Sequence, residues 1–225
     1  MQSIDRRRFL AASATLPFAG ALIARGEQGV QPGKFAPAMS GREIMRSHYF
    51  PNVSLVTHDG KKVRFYDDLL KDKIVVLNLM YADCSGVCPT ITSHLITAQR
   101  ILRDRFGAER FGRDIFFYSL TVKPEEDTPR KLKEYAKMHG VVGPSWLFLT
   151  GKPDDVDLLR GKLGYADIDP KVDKDKASHS GMVRYGNEPL AQWGACQGSA
   201  KPEWIAEEIS FVIPRDSKGK KEMHG

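Results

Sequence analysis

An apolar run, Ile74-Val-Val-Leu-Asn-Leu-Met-Tyr81, leads almost directly into Cys84-Ser-Gly-Val-Cys88-Pro89, and this junction constrains the fold more than any other stretch. Eight residues with one polar member have the pattern of a strand buried on both faces. The cysteines then sit in a turn that opens a helix, which presents two sulfurs at fixed spacing. With Cys88 in the first helical turn, residues four apart face one side, close enough to share an ion or close a disulfide. Pro89 suits that turn because a first-turn N–H has no intrahelical partner to lose. The positive end of the helix favours thiolate over thiol, which improves both metal ligation and nucleophilicity. The alternative is a pair of inert structural cysteines, although these usually sit inside periodic apolar segments.

The elements around this junction alternate. Residues 53–57 and 62–66 flank His58-Asp59-Gly60 and predict a hairpin. Residues 74–81 form the first central strand. Residues 90–106 carry Ile91, Leu95, Ala98, Ile101 and Leu102 at helical spacing. Residues 114–122 give a second strand. Thr128-Pro129 is a cap followed by a first-position proline and starts a helix reaching towards Gly140. Residues 146–150 give a third strand, 153–163 a helix, 182–185 and 190–193 a closing hairpin around Gly186-Asn187, and 202–211 a final helix. The order predicts an α/β domain with a central, mostly parallel sheet flanked by helices, with added N-terminal and closing hairpins. The cysteine turn then lies at the carboxyl edge of that sheet, where open α/β folds place their sites. The arrangement suggests a thioredoxin-like domain, yet three residues separate the cysteines where redox dithiols use two.

Asp5-Arg-Arg-Arg-Phe-Leu10 precedes an almost wholly small and apolar stretch to Ala24, the charged and apolar regions of an export signal. The paired arginines resemble the twin-arginine type. The stretch is shorter than the ~20 residues of an ordinary span; an uncleaved membrane tether is the alternative to cleavage. The expected organisation is therefore a signal or anchor over 1–24, a linker over 25–50, a thioredoxin-like domain over 51–214 and a polar basic tail over 215–225. The folded part is expected in the periplasm or at the outer face of the cytoplasmic membrane. Twin-arginine export carries folded proteins, so the thiols would begin reduced. Beyond residue 24 there remain 31 basic and 27 acidic residues, interspersed as in Lys123-Pro-Glu-Glu-Asp127; this excludes a nucleic-acid-binding patch. Three cysteines in all are too few for a disulfide-stapled fold, so the 84/88 pair is free for chemistry.

Among six histidines, His179 in Ala177-Ser-His-Ser-Gly181 stands out, after the polar loop 167–176 and before a short strand. One imidazole with two thiolates makes a three-coordinate soft site that suits Cu(I), and accepts Cu(II) or Zn(II) with an added ligand. The other reading is a solvated loop histidine. His48, His58, His94 and His139 show no paired spacing with acids or cysteines, and each reads as a surface or satisfied side chain. Met223-His224 falls in the charged tail. Asp83 either orients the turn or is simply solvated. Cys196 is either an inert thiol or an extra soft ligand or resolving thiol.

Residues 50–185 resemble the Sco/SenC family of thioredoxin-like copper-binding assembly proteins of cytochrome c oxidase. The matching stretches are Leu79-Met-Tyr-Ala-Asp-Cys-Ser-Gly-Val-Cys-Pro89, Ser119-Leu-Thr-Val-Lys-Pro-Glu-Glu-Asp-Thr-Pro129, Leu132-Lys-Glu-Tyr-Ala136, Trp146-Leu-Phe-Leu-Thr-Gly151 and His179-Ser180. The resemblance implies that Cys84, Cys88 and His179 are the metal ligands, for Cu(I) and/or Cu(II). Ser85 stands where family members commonly have proline, and Ser178 where they have an acidic residue; Cys196 falls in an altered segment. These departures suggest a divergent branch. Two activities follow as expectations. In the first, the chain is a copper metallochaperone for an exported or membrane cuproprotein, such as a subunit of cytochrome oxidase. In the second, it is a thiol–disulfide oxidoreductase that reduces client cysteines, with Cys84 and Cys88 as the catalytic pair. A third, a binding module with silent cysteines, predicts no effect of serine at both positions. Either active reading needs a reducing partner outside the cytoplasm, since a Cys84–Cys88 disulfide cannot bind copper.

Overall fold

Three apolar segments pair side by side to make the centre of the molecule. In the computed structural model, which describes residues 39–166, 169–173 and 181–215, β3 (Ile74–Met80), β4 (Ile115–Thr121) and β5 (Trp146–Gly151) run parallel. All seven residues of β3 are buried, as expected of a strand covered on both faces. Leu77 lies opposite Tyr118 and Phe117 opposite Trp146. Hairpins extend the sheet antiparallel on both sides. The pair β1 (Ser54–Thr57) and β2 (Lys62–Arg64) joins β5, while β6 (Met182–Asn187) and β7 (Gln192–Gln197) join β3. The strand order is β2-β1-β5-β4-β3-β6-β7.

The side chains of β3 alternate between two cores. Ile74, Val76 and Met80 pack with Ile91, Leu95 and Leu102 of α2 (Val87–Phe106), Leu132 and Tyr135 of α3 (Pro129–Met138), and Ile205 and Ile209 of α6 (Pro202–Ser210). Val75, Leu77 and Leu79 face the other way, onto Val156 and Leu159 of α4 (Pro153–Lys162) and onto Phe65, Leu69 and Leu70. The thioredoxin-like α/β arrangement with a parallel centre is thus the observed one. Thr128 accepts the Lys131 N–H ahead of Pro129, the cap that the sequence announces.

Four boundaries differ from the sequence reading. Phe65 and Tyr66 leave β2 and start a π-helical turn, Phe65–Leu70. Asn52 Oδ1 accepts the N–H groups of Tyr66 and Asp67, and Asp68 accepts that of Arg64. The turn buries Phe65, Tyr66, Leu69 and Leu70. The closing hairpin turns at 188–191 rather than at Gly186-Asn187; β6 continues to Asn187, and the Ala191 N–H closes onto the Glu188 carbonyl. Within the expected linker, α1 (Gly41–Tyr49) forms behind a capping box of Ser40 and Glu43. Arg42 of α1 is fastened to Glu188 at 2.6 Å. Lastly, α2 begins three residues earlier than its apolar period suggests, at Val87.

Inside the loop expected at 167–176, α5 (Pro170–Asp173) is fixed by Arg160, whose Nη2 donates to Asp173 Oδ2 at 2.7 Å. Residues 1–38, 167–168, 174–180 and 216–225, and with them the expected signal, His179 and Met223-His224, lie outside the described residues. Among the described residues no helix is long and apolar enough to cross a membrane.

Candidate dithiol site

The early start of α2 decides the geometry of the cysteine pair. Gly86 is the N-cap, so Cys88 is the second helical residue and Cys84 lies two residues before the cap. The turn leaves the sheet at Met80, whose carbonyl accepts the Val122 N–H at 2.9 Å, and the Cys84 N–H closes onto the Tyr81 carbonyl. Both cysteines point inward: Cys84 is 8% exposed and Cys88 is fully buried, while Asp83 and residues 85–87 form the outer skin. Gly86 sits beside Cys84, where an added Cβ would stand 3.8 Å from its Sγ. Neither is in a disulfide.

Their electrostatics are unequal. Burial pushes the Cys84 thiol up, but hydrogen bonds from the Cys88 thiol and N–H, the Tyr81 hydroxyl and the Gly86 N–H outweigh it and bring Cys84 below the ordinary range. These donors are the unsatisfied amides of a helix start together with two side chains. Cys88, more deeply buried and hydrogen-bonded to Cys84, is pushed up to about 12. Cys84 is therefore the more acidic thiol of the pair and Cys88 the one that holds its proton more tightly.

Asp127 holds this turn in place. It is 1% exposed, and its Oδ2 accepts the Ala82 N–H at 2.9 Å and the Thr121 hydroxyl at 2.6 Å. Lys131, one turn into α3, lies 3.4 Å from Asp127 Oδ1 and 2.6 Å from Asp83 Oδ2. Asp83 thus steers the turn from outside through a shared lysine. Lys123 lies 4.6 Å from the centroid of the Tyr81 ring. From α3, Tyr135 pairs its hydroxyl with Thr92 at 3.0 Å; burial raises the phenol to about 12, and the two thiols add to the rise. Asp127, Lys131 and Tyr135 were missed as site residues. The Asp-Thr-Pro stretch was the signal that could have found the first two.

The four described histidines are surface or satisfied side chains, as expected. His58 Nδ1 faces the Phe148 N–H at 3.1 Å, His94 Nδ1 the Gly198 carbonyl at 3.2 Å and His48 Nδ1 the Ile44 carbonyl at 3.0 Å, while His139 packs on Tyr135. Cys196, opposite Val183 across the closing hairpin, is 3% exposed in the same core as Cys84 and Cys88. Burial lifts it to about 12, so it remains a buried thiol. Among the described residues no three His, Cys, Asp or Glu side chains converge as a metal cluster. Gly181, where the described chain resumes two residues after His179, lies against α2, an added Cβ meeting Ile91 Cδ1 at 3.5 Å.

Fold and site together define a thioredoxin-like domain with a dithiol turn at the carboxyl edge of its parallel strands. The SCO1/SenC family model matches residues 42–210, and the chain belongs to that family. The SCO1 homologue of Bacillus subtilis strain 168 is 32% identical over 93 residues, covering 41% of this chain and 44% of that protein; the match thus spans less than half of that relative's length. Two solved structures share the fold. Bradyrhizobium japonicum ScoI with copper bound has a TM-score of 0.54 at 23% identity, over 71% of this chain and 96% of that one. BsSco, a member of the Sco family of cytochrome c oxidase assembly proteins in which a disulfide switch was identified, has a TM-score of 0.58 at 21% identity, over 73% and 93%.

Proposed function

We propose that the chain is a copper metallochaperone that carries copper to an exported or membrane cuproprotein, the copper centre of cytochrome c oxidase being the leading client. The observation that carries the reading is the Cys84–Cys88 pair at the start of α2, two inward-facing thiols of which Cys84 is the more acidic. Soft thiolates at this spacing suit Cu(I). The copper-bound relative with the same fold supports it. Copper is cargo here. It binds the Cys84 thiolate, displaces the Cys88 proton to solvent, and is completed by His179. Arg160 and Asp173 fix the chain ahead of that histidine and Gly181 fixes it behind, against Ile91 one turn beyond Cys88. A client thiolate then replaces one protein ligand and takes the ion. The chain would work at the outer face of the cytoplasmic membrane or in the periplasm, exported by its twin-arginine-type segment.

The unequal thiols also favour a second reading, a thiol–disulfide reductase. The Cys84 thiolate attacks a client disulfide and expels one client thiolate. Cys88 then loses its proton and attacks Cys84, freeing the second client thiol and leaving a Cys84–Cys88 disulfide for an external dithiol to reduce. His179→Ala separates the readings: copper affinity falls at least tenfold with thiol exchange unchanged if the chain is a chaperone. Retained copper binding and retained client assembly in that variant would instead favour the reductase.

A further inference from the structure

At the amino end of the parallel strands, the end opposite the dithiol turn, a groove of about 920 Å³ opens between the β1–β2 hairpin and the loop that follows α3. It exists because β1 stops at Thr57, opposite Leu149, and so does not reach the first residues of β5. Phe116 and Leu147, both half-buried, form its floor, and Val142, 81% exposed, its apolar lip. An apolar surface left open at the end of a sheet is of the kind that a partner covers. At roughly 30 Å³ per water-sized group, the space takes on the order of thirty heavy atoms, about the size of a short stretch of extended chain.

The charged lining of this groove is unbalanced. Lys61, Lys73, Lys133 and Lys137 are set against only two acids, Asp59 and Asp68. Asp59 is already taken by Lys133 at 2.9 Å, and Asp68 Oδ2 accepts the Arg64 N–H at 2.7 Å. Lys61 and Lys137 make no ion pair among the described residues. Lys73 is half-buried: its ammonium donates to the Asp68 backbone carbonyl at 2.8 Å and lies 5.6 Å from the centroid of the Phe116 ring, and it too makes no ion pair among the described residues. Burial holds this ammonium below the usual lysine range, and the attraction of Asp68 and Asp72 does not make up the difference. A cation withdrawn from water without a counter-ion is stabilised by an anion brought to it. Cations in excess over an apolar floor complement an occupant that is both acidic and apolar.

We propose that this groove docks an extended segment of a partner polypeptide in which acidic and apolar residues alternate, its carboxylates meeting Lys61, Lys73 and Lys137 and its apolar side chains lying on Phe116 and Leu147. Successive side chains of an extended chain point to opposite faces, so one set lies on the floor while the other meets the long lysine side chains of the rim. The surface is at the far end of the strands from Cys84 and Cys88 and does not depend on the copper reading. The probe is the capped peptide acetyl-Glu-Leu-Glu-Leu-Glu-amide, titrated into the full chain at about 0.05 M salt while the backbone amide resonances are followed by NMR. The expected result is a saturable shift of amides at Lys61, Lys73 and Leu147, with the Cys84–Cys88 turn unmoved and Kd below about 1 mM. The peptide with Gln in place of each Glu binds at least about tenfold more weakly, and about 0.5 M salt weakens the acidic peptide at least about threefold. Lys73→Met, and Lys61→Gln combined with Lys137→Gln, each weaken it about threefold. No saturable shift up to about ten times that Kd, equal binding of the Glu and Gln peptides, shifts confined to another surface, or folded variants that bind as wild type would overturn the proposal. So would tripolyphosphate moving the same amides at least as tightly, which would mark a site for free phosphate. The wild-type titrations decide it even if a variant fails to fold.

Discussion

Two buried carboxylates sit at opposite ends of the parallel strands and use the same chemistry for different ends. Glu188, 2% exposed, is at the amino end, where its N–H meets the Lys73 carbonyl just before β3. It gathers Arg42 at 2.6 and 2.7 Å, the Tyr66 hydroxyl at 2.6 Å and the Asp72 N–H at 2.9 Å, tying α1, the π-helical turn and the closing hairpin together. Asp127 is at the carboxyl end and gathers the Ala82 N–H, Thr121 and Lys131 around the cysteine turn. The first network immobilises scaffold and touches no reactive group. The second immobilises the three residues leading into Cys84 and leaves the thiols free to exchange protons. Buried charge here serves registration at one edge and presentation of a site at the other.

That contrast makes separable predictions. Glu188→Ala leaves the buried Tyr66 hydroxyl and the Asp72 N–H without their acceptor and Arg42 with Asp72 alone, and is expected to cost about 3–5 kcal/mol, at about 1–3 for each donor left unsatisfied, read by urea unfolding, with copper stoichiometry unchanged. Burial pushes the Glu188 carboxyl up, but the hydrogen bonds from Arg42, Tyr66 and the Asp72 N–H outweigh it and hold it below the usual range. A depressed folded-state pKa gives stability that is present above the unfolded value and lost as pH falls through the folded one. The stability gap between wild type and Glu188→Gln should therefore close as pH drops from about 5. Asp127→Ala should cost less stability, about 2–3 kcal/mol, but weaken copper about 10–100-fold by loosening the turn behind the ligands. Equal copper affinity in the two alanine variants would erase the distinction between the edges. Lys131→Met, which removes the lysine shared between the exposed Asp83 and the buried Asp127, should cost about 1–2 kcal/mol and a few-fold in copper affinity. Smallest of all, Asp83→Asn should leave the melting temperature unchanged within error while detectably altering the rate of Cys84 alkylation by iodoacetamide, since only the outer half of the Lys131 bridge is lost.

What could be read from the sequence follows from what is local. The all-apolar β3, the capped Thr128-Pro129 start and the Cys84–Cys88 turn each carry their signal within a few residues, and each appears in place. The π-helical turn at Phe65 was hidden because Phe and Tyr are also strand formers; Asn52, thirteen residues earlier, is what redirects the backbone. Helix α1 was hidden because its fastening, Arg42 to Glu188, spans 146 positions, and because a single capping box in a polar stretch gives little apolar period. For the same reason Asp127 looked like one acid in a charged surface run, although the fold buries it beneath the cysteine turn. Tyr135 showed as a helix core residue, and its proximity to the thiols arises only from packing α3 against α2.

The most direct test is an anaerobic Cu(I) titration of the reduced full chain, with Cu(II) in parallel, alongside Cys84→Ser, Cys88→Ser and His179→Ala. The account predicts one tightly bound copper per wild-type chain, its loss in both serine variants, and at least tenfold weaker binding in the histidine variant. Wild-type protein that takes up no stoichiometric copper, or serine variants that bind as tightly as wild type, would contradict it.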